Sequence, residues 1–448
     1  MRQFFIETFG CQMNERDSEI MEQLLTDKSC SQTYDLNAAD LIIVNTCSIR
    51  GKAEQKAYSL LGRLRSLKEK KKNLMIVVSG CVAQQDGPGI LKRMPHVDLV
   101  IGPQNIYRLP ELIDAPTDVS TKRKSTFKIA TALSPTFQIP PFLPKIKNKD
   151  SSYKRFVTIM QGCNNFCTYC VVPFTRGREI SRSADDIMNE VHHLVQQGIR
   201  EVTLLGQNVN SYRLDQQQAA ASAFPQLLRS VAAIENLERI RFTTSHPKDL
   251  SDDLMRCFSE LDKLCPHFHL PVQSGSNSVL KRMNRKYTIE NYLEKVMQLR
   301  DYNKEIALTT DIIVGFPGET DNDFQDTMNV IETVRYHSAY SFKYSDRPNA
   351  QAAKFDNKVP EEVKSERLRI LQKRQDEISL ERNKEYIGRK LQVMIEGESK
   401  DGDGQWCGRS ITNHIVNFSS PGGFSPGQLV DVDITAACQN SLRGEMAQ

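Results

Sequence analysis

The residue types best placed to do chemistry are cysteines, and they come in two sets of three. Cys163, Cys167 and Cys170 fall within eight residues of each other, in Gln161-Gly-Cys-Asn-Asn-Phe-Cys-Thr-Tyr-Cys170. Thiolates this close can bind one metal centre together. A [4Fe–4S] cluster held by four cysteines is saturated and only passes electrons. Held by three, it leaves one iron without a protein ligand, and a small molecule can bind there. A structural zinc needs a fourth Cys or His nearby, and none lies between Tyr153 and Arg178.

The second set is spread out. Cys11, Cys47 and Cys81 each stand just after an apolar run, and each is preceded by Gly or Thr. The runs Phe4-Phe-Ile, Leu41-Ile-Ile-Val and Met75-Ile-Val-Val read as strands, and a fourth follows at Val97-Asp-Leu-Val-Ile. Helical patterns separate them: one through Leu25 with Asn14 able to cap it, one from Lys52 to about Lys70, and one ending near Met94. Continuous apolar strands alternating with helices imply a parallel sheet covered on both faces. Such sheets bind ligands at the carboxyl ends of their strands. The three cysteines are therefore expected to converge, again leaving a metal corner open. The competing reading is three ordinary core thiols.

Residues 117–150 carry Pro135, Pro140, Pro141 and Pro144 and two basic clusters, and read as a linker with one short strand over 126–131. From residue 151 a βα series resumes with six strands: Phe156–Met160, Glu201–Gly206, Arg239–Ser245, Phe268–Val272, Ala307–Phe316 and Ala339–Tyr344. Six units are too few for a closed eight-strand barrel, and predict a partial barrel open on one side. A long charged helix spans Glu361 to about Glu385. Residues 383–448 change to short strands and glycines, a small antiparallel barrel. Trp406, Arg409, Asn413 and Phe418 are candidates there for contact with unpaired bases. Acids outnumber bases in this module, so the basic footprint of an RNA binder is missing.

Composition fits these folded domains. Of 448 residues, 39% are apolar and 25% charged, with a net charge of +4. The longest apolar runs fall short of a membrane span, and the first residues do not resemble an export signal. Eleven cysteines without such a signal suit a reducing cytoplasm and metal-bound thiolates better than disulfides. The basic run Lys68–Lys72 reads as a solvated helix end. The histidines, including His192, His193, His246, His267 and His269, receive no role.

The cysteine loop with Tyr169 before its last cysteine resembles the cluster loop of radical S-adenosylmethionine (SAM) enzymes. The three-part order over nearly the whole chain resembles the methylthiotransferase family. It implies an N-terminal Rossmann-like domain over 1–116, a radical-SAM partial (βα)6 barrel over 151–382 and a C-terminal TRAM barrel over 383–448. Glu7-Thr-Phe-Gly-Cys11-Gln-Met-Asn14, Asn45-Thr-Cys47-Ser-Ile-Arg50 and Gly206-Gln-Asn-Val-Asn210 are most similar to the branch acting on isopentenyladenosine in tRNA. The branch acting on ribosomal protein S12 carries a Pro-Lys-Asn-type run where this chain has Gln12-Met13-Asn14. Gly51 departs from the family, which more often has an acid there.

The resemblance implies two [4Fe-4S] clusters, each with three cysteine ligands. SAM would chelate the open iron at Cys163/Cys167/Cys170, and its radical would take hydrogen from C2 of the modified adenine beside the anticodon. The cluster at Cys11/Cys47/Cys81 would hold the sulfur, methylated by a second SAM. Tyr169, Gln207, Ser245 and Gly315 would touch SAM. The implied partners are the tRNA anticodon stem-loop and a donor such as flavodoxin or ferredoxin, with a cytoplasmic monomer as the expected form. Three alternatives stand beside this: the same chemistry on threonylcarbamoyl-adenosine tRNA or S12, a non-catalytic iron–sulfur electron carrier, and a zinc-stabilised RNA-binding protein.

Overall fold

The computed structural model describes residues 2–48, 51–114, 129–145, 152–214, 222–399, 404–420 and 422–447. The chain divides into two compact units. The first comprises 1–145, 160–164 and 171–182; the second comprises 146–159, 165–170 and 183–448.

The first unit is a six-stranded parallel sheet in the order Ser31–Gln32, Gln3–Thr8, Leu41–Thr46, Met75–Gly80, Leu99–Ile101, Ile129–Ala130. Alternate strand residues point to opposite faces, and both faces are covered. Ile42, Val44, Ile76 and Val78 pack with Leu60, Leu61 and Leu64 of the helix Gly51–Lys70. Leu41, Ile43 and Val77 pack with Ile20, Met21 and Leu25 of the helix Gln12–Asp27. Each such buried aliphatic side chain contributes roughly 1.5–3 kcal/mol, which is why these strands read as unbroken apolar runs.

The strand order reverses between Gln3–Thr8 and Leu41–Thr46, with Ser31–Gln32 on the far side of the first strand. This 2-1-3-4 arrangement places a crevice beside the carboxyl ends of those two strands. The third helix, Cys81–Arg93, is broken at Asp86 (φ −140°, ψ 41°) with Pro88 inside it. Proline removes a helical N–H and clashes with the carbonyl four residues back, so the even helix expected from the sequence is kinked.

Two sequence expectations change here. Asn14 is not a cap: the helix starts at Gln12, and the buried Asn14 amide donates instead to Asn45 Oδ1 and to the Thr46 carbonyl, both at 2.9 Å. Lys68 and Lys71 are not merely solvated, since they pair with Asp98 at 2.7 Å and Asp40 at 2.8 Å. Of the segment read as a linker, Ile129–Ala130 adds a strand and Phe142 is buried in the core beneath Arg16. Its basic residues 122–124 lie outside the described residues.

The second unit carries the six expected parallel strands as two three-stranded sheets. One is ordered Arg239–Thr243, Glu201–Leu205, Lys154–Thr158; the other His267–His269, Ala307–Val314, Ser338–Lys343. Their helices begin at side-chain caps read from the sequence or of the same kind. Ser183 Oγ accepts from Asp186 N, and Thr320 with Asp323 forms a reciprocal capping box.

The five C-terminal strands close into a barrel in the order Lys390–Glu398, Gln405–Ser410, Ile415–Ser419, Leu442–Met446, Leu429–Ala437. One pair, Ile415–Ser419 with Leu442–Met446, is parallel, so the barrel is not purely antiparallel. Within this unit Arg239 and Arg241 reach the barrel backbone. Arg239 donates to the Arg409 carbonyl at 2.7 Å, and Arg241 donates to that of Ser410 at 2.9 Å while pairing with Glu201 at 3.0 Å.

Candidate functional site

All eleven cysteines are thiols outside any disulfide. In the first unit Cys11, Cys47 and Cys81 follow three neighbouring sheet strands. Two glycines let the backbone close around them. Gly10 (φ +143°) would place a Cβ 2.5 Å from Cys47 Cβ, and Gly80 (φ +93°) would place one 2.2 Å from the Thr46 carbonyl oxygen. Neither position accepts a side chain without moving a neighbouring strand end.

The electrostatics show the thiols acting on one another. A hydrogen bond from Cys47 lowers Cys11 to about 6, against burial, with help from the Arg176 charge and the backbone N–H groups of Asn14 and Met13. Burial raises Cys81, opposed by Arg176 and reinforced by Cys11 and Asp17. Arg176 Nη2 pairs with Asp17 Oδ2 at 2.7 Å, with the two side chains 3% and 7% exposed. Burial works against the Arg176 charge, but Asp17, Cys81 and Cys11 outweigh it and keep the guanidinium protonated. Buried polar atoms in these segments that make no hydrogen bond include Arg176 Nη1, Ser48 Oγ and Ser79 Oγ. Buried donors are seldom left so, and soft thiolates beside them suit a group carrying sulfur acceptors. On these observations the residues fit an iron–sulfur cluster.

The other trio stands on one loop. Gly162 (φ +80°) would place a Cβ 2.0 Å from the Arg178 carbonyl oxygen, so the loop entry is a tight backbone crossing. The Cys163 N–H donates to the Gly177 carbonyl at 3.3 Å. In the second unit, Phe166 has a left-handed φ of +49°, and the Cys170 N–H donates to the Cys167 carbonyl at 2.9 Å. Thr168 fixes this stretch from both sides, donating its N–H to Met283 and accepting from Ala352. Arg285 Nη1 lies 3.4 Å from both Cys167 Sγ and the Tyr169 hydroxyl. Its remaining nitrogens are engaged, Nη2 with the Pro271 carbonyl at 2.9 Å and Nε with the Tyr287 hydroxyl at 3.1 Å. This donor set fits a thiolate centre whose negative charge is offset by a guanidinium.

Among the described residues no group of three or more His, Cys, Asp or Glu is gathered as the ligands of a single metal ion. A four-iron cluster spaces its thiolates more widely than one ion does, so each trio is judged on its own surroundings.

The other expected contacts differ in character. The Ser245 hydroxyl is buried and makes no hydrogen bond, as an open ligand-binding group would. Gly315 (φ +71°) sits under Lys364, and its N–H donates to Glu319 Oε1 at 2.8 Å, while Glu319 pairs with Arg367. That suffices to explain the glycine as a loop requirement. Tyr169 packs against Val279, Met283, Phe316 and Tyr344, and burial raises its hydroxyl. Gln207 is half-buried in the turn after Glu201–Leu205. Phe418 is overturned as a base-stacking residue: it alternates inward with Val416 and fills the barrel core. Trp406 packs edge-on to Phe424, and Arg409 is held by Glu396 and Asn413.

Nothing in the sequence marks Arg176 or Arg285, and Asp17 reads there only as an acid in the first turn of its helix. Arg176 lies at the tail of the cysteine loop, but only the fold brings it to Asp17.

Comparison with known proteins matches 3–102 to Uncharacterized protein family UPF0004, 157–331 to the Radical SAM superfamily and 384–447 to the TRAM domain. The chain is 55% identical to a tRNA-2-methylthio-N(6)-dimethylallyladenosine synthase from Desulfotalea psychrophila, covering 100% of this chain and 99% of the relative. It is 50% identical to one from Geobacter metallireducens, covering 99% and 98%. Among solved structures it resembles the radical S-adenosylmethionine methyltransferase TsrM from Kitasatospora setae, with a TM-score of 0.58 at 12% identity over 90% of this chain and 79% of that one. At that identity the likeness is one of fold.

Proposed function

Because the chain belongs to the tRNA-2-methylthio-N(6)-dimethylallyladenosine synthase family, we propose that its two cysteine trios divide one reaction between them. The enzyme converts N6-isopentenyladenosine beside the anticodon of tRNA to its 2-methylthio form. Cys163, Cys167 and Cys170 would hold a [4Fe-4S] cluster that binds SAM, and Cys11, Cys47 and Cys81 would hold a second. Bound there, clusters with an open iron supply one-electron cleavage of SAM and a sulfur for transfer, which an unactivated C2–H requires and acid–base side chains cannot provide.

The chain's own residues bind, orient and compensate charge. Arg285 sets the Cys167 side of the loop and holds Tyr169. Gly10 and Gly80 bring the N-terminal strand ends together, and Asp17 fixes Arg176. Ser245 offers its unpartnered hydroxyl to SAM; Tyr169, Gln207 and Gly315 shape the same region. What supports this reading is that Cys11, Cys47 and Cys81 follow three neighbouring parallel strands and that the buried Arg176, paired with Asp17, acts electrostatically on Cys11 and Cys81. We read 1–116, 151–382 and 383–448 as the corresponding domains, joined through 117–150. We expect a monomer that takes electrons from a flavodoxin or ferredoxin and works on tRNA in the cytoplasm. No helix among the described residues is long and apolar enough to cross a membrane.

Mass spectrometry of total tRNA nucleosides from a deletion strain tests the substrate. Methylthio-isopentenyladenosine should vanish while isopentenyladenosine accumulates, and restoring the gene should reverse both. Persistence of the methylthio nucleoside contradicts the assignment.

A further inference from the structure

Arg176 belongs by sequence to the tail of the Cys163–Cys170 loop, yet in the fold it serves the other trio. Its guanidinium is 3% exposed, bound through Nη2 to Asp17 at 2.7 Å, and acts electrostatically on Cys11 and Cys81. Gln161 Nε2 holds its carbonyl at 3.3 Å, which fixes the backbone from which the side chain projects. Nη1 is buried and makes no hydrogen bond. A buried charged donor is seldom left this way, so an acceptor belongs beside it. Arg16, which also acts on Asp17, is committed elsewhere, to Glu19 at 2.6 Å and over the Phe142 ring at 4.5 Å.

We infer that Arg176 donates from Nη1 to a sulfur of the group held by Cys11, Cys47 and Cys81, and that its charge sets how firmly and at what potential that group is held. Asp17 is the positioning residue that aims it. The inference rests on the cluster assignment above. Outer-shell partners of this kind typically change metal retention 10–100-fold when replaced.

The test uses the full chain with Cys163, Cys167 and Cys170 all changed to Ala, reconstituted anaerobically so that only the N-terminal trio loads iron. Iron content, the midpoint of an EPR-monitored reductive titration and the rate of iron loss to a chelator are compared with and without Arg176→Gln. The variant should show a more negative midpoint and iron loss about tenfold faster or more, with Arg176→Lys lying between. A purely structural role would lower the melting temperature and leave the midpoint where it was. If Arg176→Gln does not fold, Asp17→Leu with Arg176→Met replaces the ion pair without stranding a charge, and the same shifts are expected. Unchanged midpoint and chelation rate overturn the inference alone. A background protein that binds no iron overturns the cluster assignment beneath it.

Discussion

Arg176 and Arg285 each bring a buried guanidinium to cysteine thiols, but they are partnered differently. Arg285 has every nitrogen engaged: Cys167 and Tyr169 at one, the Pro271 carbonyl and the Tyr287 hydroxyl at the others. Arg176 has one nitrogen on Asp17 and another without a partner. The first arrangement stiffens a loop that already carries its cysteines in sequence. The second lies near cysteines that follow separate strands, and keeps one buried nitrogen outside any hydrogen bond. A loop trio can thus be held by local geometry, whereas a strand-end trio needs the whole sheet and a buried counter-charge.

That contrast can be broken at four places. Cys167→Ala should have the largest effect, abolishing SAM cleavage by more than the 10–100-fold typical of outer-shell changes; 5′-deoxyadenosine release measures it. Arg285→Gln should fall within about 10–100-fold on the same assay, with the iron at the N-terminal trio unaffected. Gly80→Ala should do the reverse. Forcing a Cβ against the Thr46 carbonyl costs roughly 1–3 kcal/mol of strain, and iron analysis should show loss from the N-terminal trio while SAM cleavage survives. Ser245→Ala should be the mildest. Its hydroxyl makes no hydrogen bond in the fold, so the melting temperature should hold while SAM binding weakens up to about tenfold, the value of one hydrogen bond.

The two trios also differ in how far they could be read from the chain. Cys163, Cys167 and Cys170 declare themselves by spacing. Cys11, Cys47 and Cys81 are legible only through the strand pattern, because their nearness follows from parallel neighbours Gln3–Thr8, Leu41–Thr46 and Met75–Gly80. Asn14 looked like a helix cap by residue type, but its amide bridges to Asn45 and Thr46 across the sheet, a contact no local rule encodes. Phe418 looked available for bases because its strand alternates, and alternation alone does not say which face is the core. The closing strand Leu442–Met446 carries little apolar signal, since Leu442 is its only side chain committed to the core. Arg176 and Arg285 gave no signal, as an arginine acquires such a role only from what the fold sets beside it.

In the proposed division of labour the two trios act separately, one generating the reactive species from SAM and the other furnishing sulfur. Anaerobic protein carrying Cys11, Cys47 and Cys81 all changed to Ala tests it most directly, assayed for iron, sulfide, 5′-deoxyadenosine and methylthio-nucleoside together. About half the wild-type iron and sulfide, continued 5′-deoxyadenosine formation and no methylthio product are expected. Undiminished iron, or methylthio product formed at the wild-type rate, would contradict it.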